Sequence, residues 1–205
     1  MHKELLNQLQ TDVLPLISVF NNDFGLVGGT AIALHLGHRK SIDFDLFTNK
    51  KFENGEIVRK LLTQATIDST IVDQLDQLTV IVNQVKLTFL YYPFPLEFIN
   101  DFEGIIKTPD LLSLAAMKAY TLGRRSKWKD YIDLFFIFKK FSLREVCDKA
   151  NQIFKTSFNE KLFREQLMFF NDIDFTEKIN FVPEFFVSDE EIKNTLQNIS
   201  MSKND

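Results

Sequence analysis

The stretch from Phe24 to Phe47 constrains this chain most, because two glycines and two aspartates punctuate an otherwise largely apolar run. Phe24 to Val27 is short and apolar and stops at Gly28-Gly29. Thr30 to Leu36 has helical spacing and stops at Gly37, a residue type that ends helices because it turns left-handed without a Cβ penalty. Ile42 to Phe47 then alternates, which sends Ile42, Phe44 and Leu46 to one face and Asp43 and Asp45 to the other. The stretch reads as strand, glycine turn, short helix and second strand.

Two carboxylates on one strand face, two residues apart, sit roughly 6.5–7 Å apart at Cα. At that distance each raises the other's pKa, and the fold loses stability unless a cation or a donor intervenes. Divalent metals with oxygen ligands are the usual solution, and Mg²⁺ with a nucleoside triphosphate commonly uses one or two carboxylates. Gly28-Gly29 at the start of a helix supplies the complement. A backbone without Cβ atoms approaches a ligand closely, and free N–H groups with the helix dipole favour phosphate. Asp43 and Asp45 are therefore the expected metal ligands, with Gly28, Gly29 and Thr30 at the nucleotide.

Gly28-Gly29, thirteen intervening residues and Asp43-Phe44-Asp45 resemble the signature of DNA polymerase β-type nucleotidyltransferases. The fuller string GGTAIALHLGHRKSIDFDLF is similar to the AbiEii/AbiGii toxin family of nucleotidyltransferase-like proteins, found in bacterial phage-defence and type IV toxin–antitoxin systems. The resemblance extends from about residue 20 to residue 140. It implies an α+β fold: a polymerase β-like nucleotidyltransferase core, a small mixed sheet with flanking helices, followed by a C-terminal helical bundle. It also implies Mg²⁺ or Mn²⁺ with an NTP substrate, a tRNA or other cellular acceptor, and a cognate antitoxin.

The rest of the chain fits such a division. Val13, Leu14, Ile17 and Phe20 continue a helical pattern begun by Leu5, Leu6 and Leu9, predicting an amphipathic helix over 3–20. A helix is expected over 55–65, and strands over 66–73, 77–82 and 85–92, separated by polar turns and ended by Pro93 and Pro95. Thr108-Pro109-Asp110 is a good helix start. Ser142 with Glu145 and Ser188 with Glu191 fit the capping box. Helices are expected near 109–123, 129–141, 142–155, 159–171 and 188–199, with a frayed end from Met201 to Asp205. The expected domains are 1–105, the α/β core, and 106–205, a helical domain completing the active-site cleft.

Composition sets the surroundings. The 205 residues, with 45% hydrophobic and 25% charged side chains, are ample for a packed core. The 22 phenylalanines point to aromatic packing. A net charge of −4 provides no global attraction to nucleic acid. The single Cys147 suits a reducing compartment. With neither a signal-peptide pattern nor an apolar run of the ~18–20 residues that a membrane span needs, the expected location is cytoplasmic.

A second group of polar residues lies between Met117 and Leu134. On a helix, the neighbours of Lys118 are Leu111, Leu114, Ala115 and Leu122, so its ammonium either serves a site or snorkels from the core edge. Asp130 and Asp133 share a face with Leu134 and Ile137. They could pair with Lys118 or with Arg124 and Arg125, hold the metal, or form buried ion pairs. Lys118, Arg124, Arg125, Lys127 and Lys129 follow one another without an intervening acid, with Tyr120 and Trp128 among them. That is either a solvated face or a surface for phosphate and an RNA end, with an aromatic for base stacking. Lys118 with Lys129-Asp130 and Asp133-Leu134 resembles the family's downstream K…KDxxDL motif, in which the lysine and an aspartate are functional positions.

Polymerase β-type enzymes usually add a third carboxylate from a neighbouring strand, and here strand 85–91 offers only Lys86 and Thr88. Either Asp130 or Asp133 completes the site, or two carboxylates and the triphosphate hold the metal, or the site is crippled. Arg39 and Ser41, just before the Asp pair, are expected phosphate contacts. His35 and His38, without metal-ligand partners at suitable spacing, read as surface or helix-end residues. The expected activity is a Mg-dependent nucleotidyltransferase with Asp43, Asp45, Lys118, Asp130 and Asp133 at its catalytic centre. The alternative is a non-catalytic nucleotide- or protein-binding relative. A haloacid-dehalogenase-type phosphotransferase also uses Asp-x-Asp, but Leu46-Phe47 continues the strand where that motif enters a loop.

Overall fold

A computed structural model describes residues 1–122, 124–125 and 127–202. The chain divides into two compact units, residues 1–35 with 40–110 and residues 36–39 with 111–205.

The first unit is built on a five-stranded sheet. Its elements are α1 (Gln8–Ser18), β1 (Gly25–Val27), α2 (Gly28–Leu36), β2 (Phe44–Thr48), α3 (Asn54–Leu62), β3 (Ile67–Gln74), β4 (Gln77–Val82) and β5 (Val85–Tyr91). A two-stranded hairpin, β6 (Asn100–Phe102) and β7 (Ile106–Thr108), follows. The sheet order is β1-β2-β5-β4-β3, with β2 and β5 parallel and every other pair antiparallel. Alternation along β2 and β5 buries Phe44, Leu46, Leu87 and Phe89 on one face. Val13, Leu14 and Ile17 of α1 are buried as well. Phe89 meets Phe20 and Phe24 edge-on, at 4.8 and 5.3 Å between centroids, which is how part of the phenylalanine content is spent.

The second unit holds α4 (Leu111–Thr121), α5 (Trp128–Ile137), α6 (Leu143–Phe154), α7 (Glu160–Gln166) and α8 (Asp189–Met201). Helix α4 packs on α5 and α6, and α8 packs on α5 and α7. The Ser142 hydroxyl and the Glu145 carboxylate cap α6 reciprocally, while Ser188 accepts from the Glu191 N–H at the start of α8. Cys147 is buried in α6, and burial pushes its thiol up to about 12, so the cysteine is a packing residue.

Several local expectations are corrected. The predicted helix over 3–20 is broken, because Asn7 and Gln10 form a capping box that starts α1 afresh after a short 3-10 turn. Ile42 lies before β2 and is 61% exposed, so the apolar face begins at Phe44. Thr108 ends β7 instead of capping a helix. Its hydroxyl hydrogen-bonds the Pro109 carbonyl and pairs with His35, and α4 begins at Leu111. The β6–β7 hairpin was not expected, since strands of three residues carry no readable period. In the expected frayed end, Met201 still closes α8, and residues 203–205 lie outside the described residues.

Candidate active site

The glycine pair and the first aspartate pair meet in the first unit. Gly28 opens α2 with φ +73°, a left-handed conformation that only glycine adopts cheaply. Space is the second reason for glycine here, since a Cβ on Gly28 would stand 2.2 Å from Asp45 Oδ2. That closeness follows from the sheet, where Val27 at the end of β1 pairs with Asp45 of β2. Thr30, in the first turn of α2, donates its hydroxyl hydrogen to the Asp43 carbonyl and ties the helix start to the strand entrance. The sequence-predicted Gly28, Thr30, Asp43 and Asp45 are thus brought together.

Next to them is Lys86 of β5, which stands where a third carboxylate would be expected. Asp45 faces Thr88 across the parallel β2–β5 pair, and Lys86 Nζ lies 2.5 Å from Asp43 Oδ2. Asp43 and Lys86 are both partly exposed. Among the described residues no three His, Cys, Asp or Glu side chains converge as metal ligands. The donor set is therefore two carboxylates with a lysine ammonium standing where a cation is wanted. Hard oxygen donors of this kind fit Mg²⁺, which keeps waters and needs few protein ligands when phosphates complete its shell. Ser41 is half-buried, and its carbonyl accepts a hydrogen bond from Gln10 Nε2 at 2.9 Å.

The second unit assembles the other charged residues. Gly37, with φ +77°, ends α2 and redirects the chain so that Arg39 bridges Phe181. Asp133 is fully buried. Its Oδ1 accepts from His38 Nε2 at 2.9 Å and Arg39 Nε at 2.7 Å, and its Oδ2 from Arg39 Nη2 at 2.8 Å and Lys118 Nζ at 2.9 Å. Asp130, equally buried, accepts from Lys118 Nζ and, at 2.8 and 2.9 Å, from Arg125 Nε and Nη2. Three cations thus surround two carboxylates.

Burial alone would raise the pKa of both acids. The charges of Arg39 and Lys118 outweigh it at Asp133 and hold that carboxyl well below the usual range. Lys118 and Arg125 likewise lower Asp130. Burial opposes the charge on Arg39, but Asp133 more than compensates and raises its pKa. Burial lowers His38 despite its bond to Asp133.

Of the alternatives open for Asp130 and Asp133, the structure has buried ion pairs. Arg39, expected at phosphate, is held bidentately by Asp133. His38, expected at a surface or helix end, is completely buried against Phe136, at 4.8 Å between ring centroids. Its position directly before an arginine gave no hint of this.

The basic run also finds partners. Arg124 stacks on Tyr120 at 3.8 Å and reaches the Ser157 carbonyl at 3.3 Å. Lys127 pairs with Asp174, and Lys129 with Glu177 at 2.7 Å. Trp128 is buried. It donates from Nε1 to Asp189 at 2.8 Å and packs on Tyr131 and Phe175. Tyr120 stacks on Phe154 at 4.2 Å. Trp128 is a core residue here, which corrects the expectation of an aromatic available for base stacking.

Comparison with known proteins bears on this arrangement. Residues 16–198 match the family model described as nucleotidyl transferase AbiEii toxin, type IV TA system. An uncharacterized Aquifex aeolicus (strain VF5) protein, aq_aa25, is 31% identical over 159 residues, which are 74% of this chain and 75% of that protein. Among solved structures, a Helicobacter pylori protein assigned as a candidate nucleotidyltransferase superposes with a TM-score of 0.63 at 17% identity, over 98% of this chain and 94% of its own. MenT4, the nucleotidyltransferase toxin Rv2826c of Mycobacterium tuberculosis H37Rv, gives 0.58 at 14% identity, over 94% and 82%. At such identities these likenesses speak for the fold. It is α+β, with a polymerase β-like mixed sheet and flanking helices followed by a helical part. No helix among the described residues is long and apolar enough to cross a membrane.

Proposed function

The chain belongs to the AbiEii nucleotidyl transferase toxin family, and from that premise we propose that it moves a nucleoside monophosphate from an NTP to a cellular acceptor. RNA, and tRNA in particular, is the proposed acceptor class, and a cognate antitoxin the proposed protein partner. The observation that carries the reading is the close seating of Gly28 on Asp45, with Asp43 two residues earlier. It sets the N-terminus of α2, the kind of backbone that favours phosphate, directly against Asp45.

In the proposed reaction the acceptor hydroxyl oxygen attacks the α-phosphorus in line. A P–O bond to the acceptor forms, the bond to the bridging oxygen of the β-phosphate breaks, and pyrophosphate leaves with that electron pair, while the hydroxyl proton passes to water. Bound Mg²⁺ or Mn²⁺ supplies charge neutralisation on the phosphates. Asp43 and Asp45 hold it. The N–H groups of Gly28 and Gly29 donate to phosphate oxygens, and Thr30 keeps α2 fixed to the strand bearing the carboxylates. Lys118, buried between Asp130 and Asp133, is proposed as a positioning residue of the helical unit. The work is mostly positioning and electrostatics.

A second reading, a non-catalytic relative that binds nucleotide or protein, draws support from Lys86, whose ammonium already sits on Asp43. The two readings separate in one experiment. Each α-labelled NTP is incubated with total bacterial tRNA, Mg²⁺ and either wild type or Asp43→Ala/Asp45→Ala. Label in RNA with the wild type alone supports the transferase and names the nucleotide. Label in protein keeps the chemistry and replaces the acceptor. No transfer and no Mg²⁺-dependent NTP binding by the folded wild type favours the second reading.

A further inference from the structure

We infer that Arg124 is a stacking plate for an unpaired base of the acceptor RNA; the inference rests on the RNA-acceptor reading above. Three planar groups of the second unit stand in a column. The Phe154 ring, buried in α6, stacks on Tyr120 of α4 with centroids 4.2 Å apart and planes 16° from parallel. The Arg124 guanidinium carbon lies over the Tyr120 ring, 3.8 Å from its centroid. Two groups this close to one ring cannot share a face of it, so Tyr120 is sandwiched between them. Exposure grows along the column, from buried Phe154 through half-buried Tyr120 to exposed Arg124. Arg124 Nη1 donates to the Tyr120 carbonyl, and Nη2 to the Ser157 carbonyl at 3.3 Å. With the ring beneath it, the planar guanidinium is therefore held in place before any ligand arrives.

Charge singles out the same residue. In the basic run, Lys118 meets Asp130 and Asp133, Arg125 meets Asp130, Lys127 meets Asp174 and Lys129 meets Glu177. Arg124 is instead bound by two carbonyls, and no carboxylate among the described residues answers its charge. The 3-10 turn that supplies the Ser157 carbonyl also carries Lys155, exposed and likewise without a carboxylate partner among the described residues. A flat cation on a surface with unanswered positive charge suits a ligand that brings a π face and negative charge together. Single-stranded RNA does so, because its unpaired bases stack on aromatic rings and guanidinium planes while its phosphates seek cations. A duplex keeps its base faces stacked on one another. Trp128, the aromatic expected for this task, is buried, and the exposed end of the Phe154–Tyr120–Arg124 column takes its place.

The test separates stacking from charge by fluorescence anisotropy of the full chain with two labelled probes, a short oligoadenylate RNA and the same ribose-phosphate chain without bases. The wild type is expected to bind the oligoadenylate about tenfold more tightly than the baseless chain. Arg124→Lys keeps the charge and removes the plane, so it should lose that preference and keep its affinity for the baseless chain. Tyr120→Leu, which takes away the ring under the guanidinium, should do the same. Thermal unfolding checks that each variant is folded. A guanidinium that served only to close the end of α4 would shift the thermal midpoint on substitution and leave the base preference untouched. No base preference in the wild type, or one that survives in folded Arg124→Lys, overturns the inference. Nucleotide transfer tells which reading has failed. If the wild type labels RNA but shows no base preference, only the stacking plate is lost. If it neither labels nor binds RNA, the acceptor reading falls and the plate falls with it.

Discussion

Asp45 lies on β2 with Asp43 just before its first residue, and Asp130 and Asp133 stand three apart on one face of α5. The surroundings then diverge. The first pair is partly open to solvent beside one lysine, with Gly28 seated against Asp45. The second is sealed in the helical unit and met by Arg39, Lys118, Arg125 and His38. A carboxylate that is to take up an exchangeable cation has to stay reachable and incompletely neutralised. One whose charge is answered within the chain can be buried, and it then holds its neighbours in place. The same residue type at nearly the same spacing thus stays accessible in one unit, as the proposed metal ligands, and forms a structural lock in the other.

The largest expected effect tests the lock. Asp133→Asn leaves Arg39 and Lys118 buried without their full partner and should cost about 3–5 kcal/mol in chemical denaturation. Asp43→Asn should cost less than about 1 kcal/mol, as for an accessible ion pair. Equal losses at both positions would erase the contrast.

Acid offers a second way to break it. Asp130 and Asp133 have folded-state pKa values depressed below the ordinary 3.8. Their contribution to stability is therefore complete above the unfolded-state value and lost as pH falls through the lower folded-state values. His38, lowered from 6.5 by burial, acts in the same direction at higher pH, because the unfolded chain binds its proton first. Unfolding free energy measured from pH 7 down to pH 3 should decline for the wild type. The decline should be shallower for Asp133→Asn, and no shallower for Asp43→Asn.

Gly28→Ala sharpens the other side of the comparison. A side chain at φ +73° and 2.2 Å from Asp45 Oδ2 should cost about 1–3 kcal/mol. Because the clash displaces Asp45, Mn²⁺ affinity and nucleotide transfer should fall further than that loss of stability explains. The smallest effect is expected at the rim of the helical unit. Asp174→Asn frees Lys127, both being half-exposed. The thermal midpoint should stay within error, while RNA binding, if Lys127 contacts phosphate, should strengthen at low salt.

How far the site could be read beforehand differs between the units in the same way. Gly28, Asp43 and Asp45 were legible because each signal is local. A left-handed turn asks for glycine, and alternation along a strand decides which side chains share a face. The Ser142–Glu145 cap was legible for the same reason, since its bonds close within one turn.

The partners of Lys127 and Lys129 were not, because Asp174 and Glu177 lie 47 and 48 residues away in sequence. A run without acids along the chain therefore became a set of ion pairs in space. Arg39 looked like a phosphate ligand from its place before the Asp pair, until Gly37 and the bridge to Phe181 carried it to Asp133, 94 residues on. Lys86 could be read only as a missing carboxylate, and the strand register made it the cation on Asp43. The sequence alone determined which backbone conformations and faces the glycines, caps and alternating residues impose, since backbone periods act over a few residues. Tertiary structure decided which charges answer one another, because Coulombic partners are set by distance in space, and the chain brings residues together from far along its length.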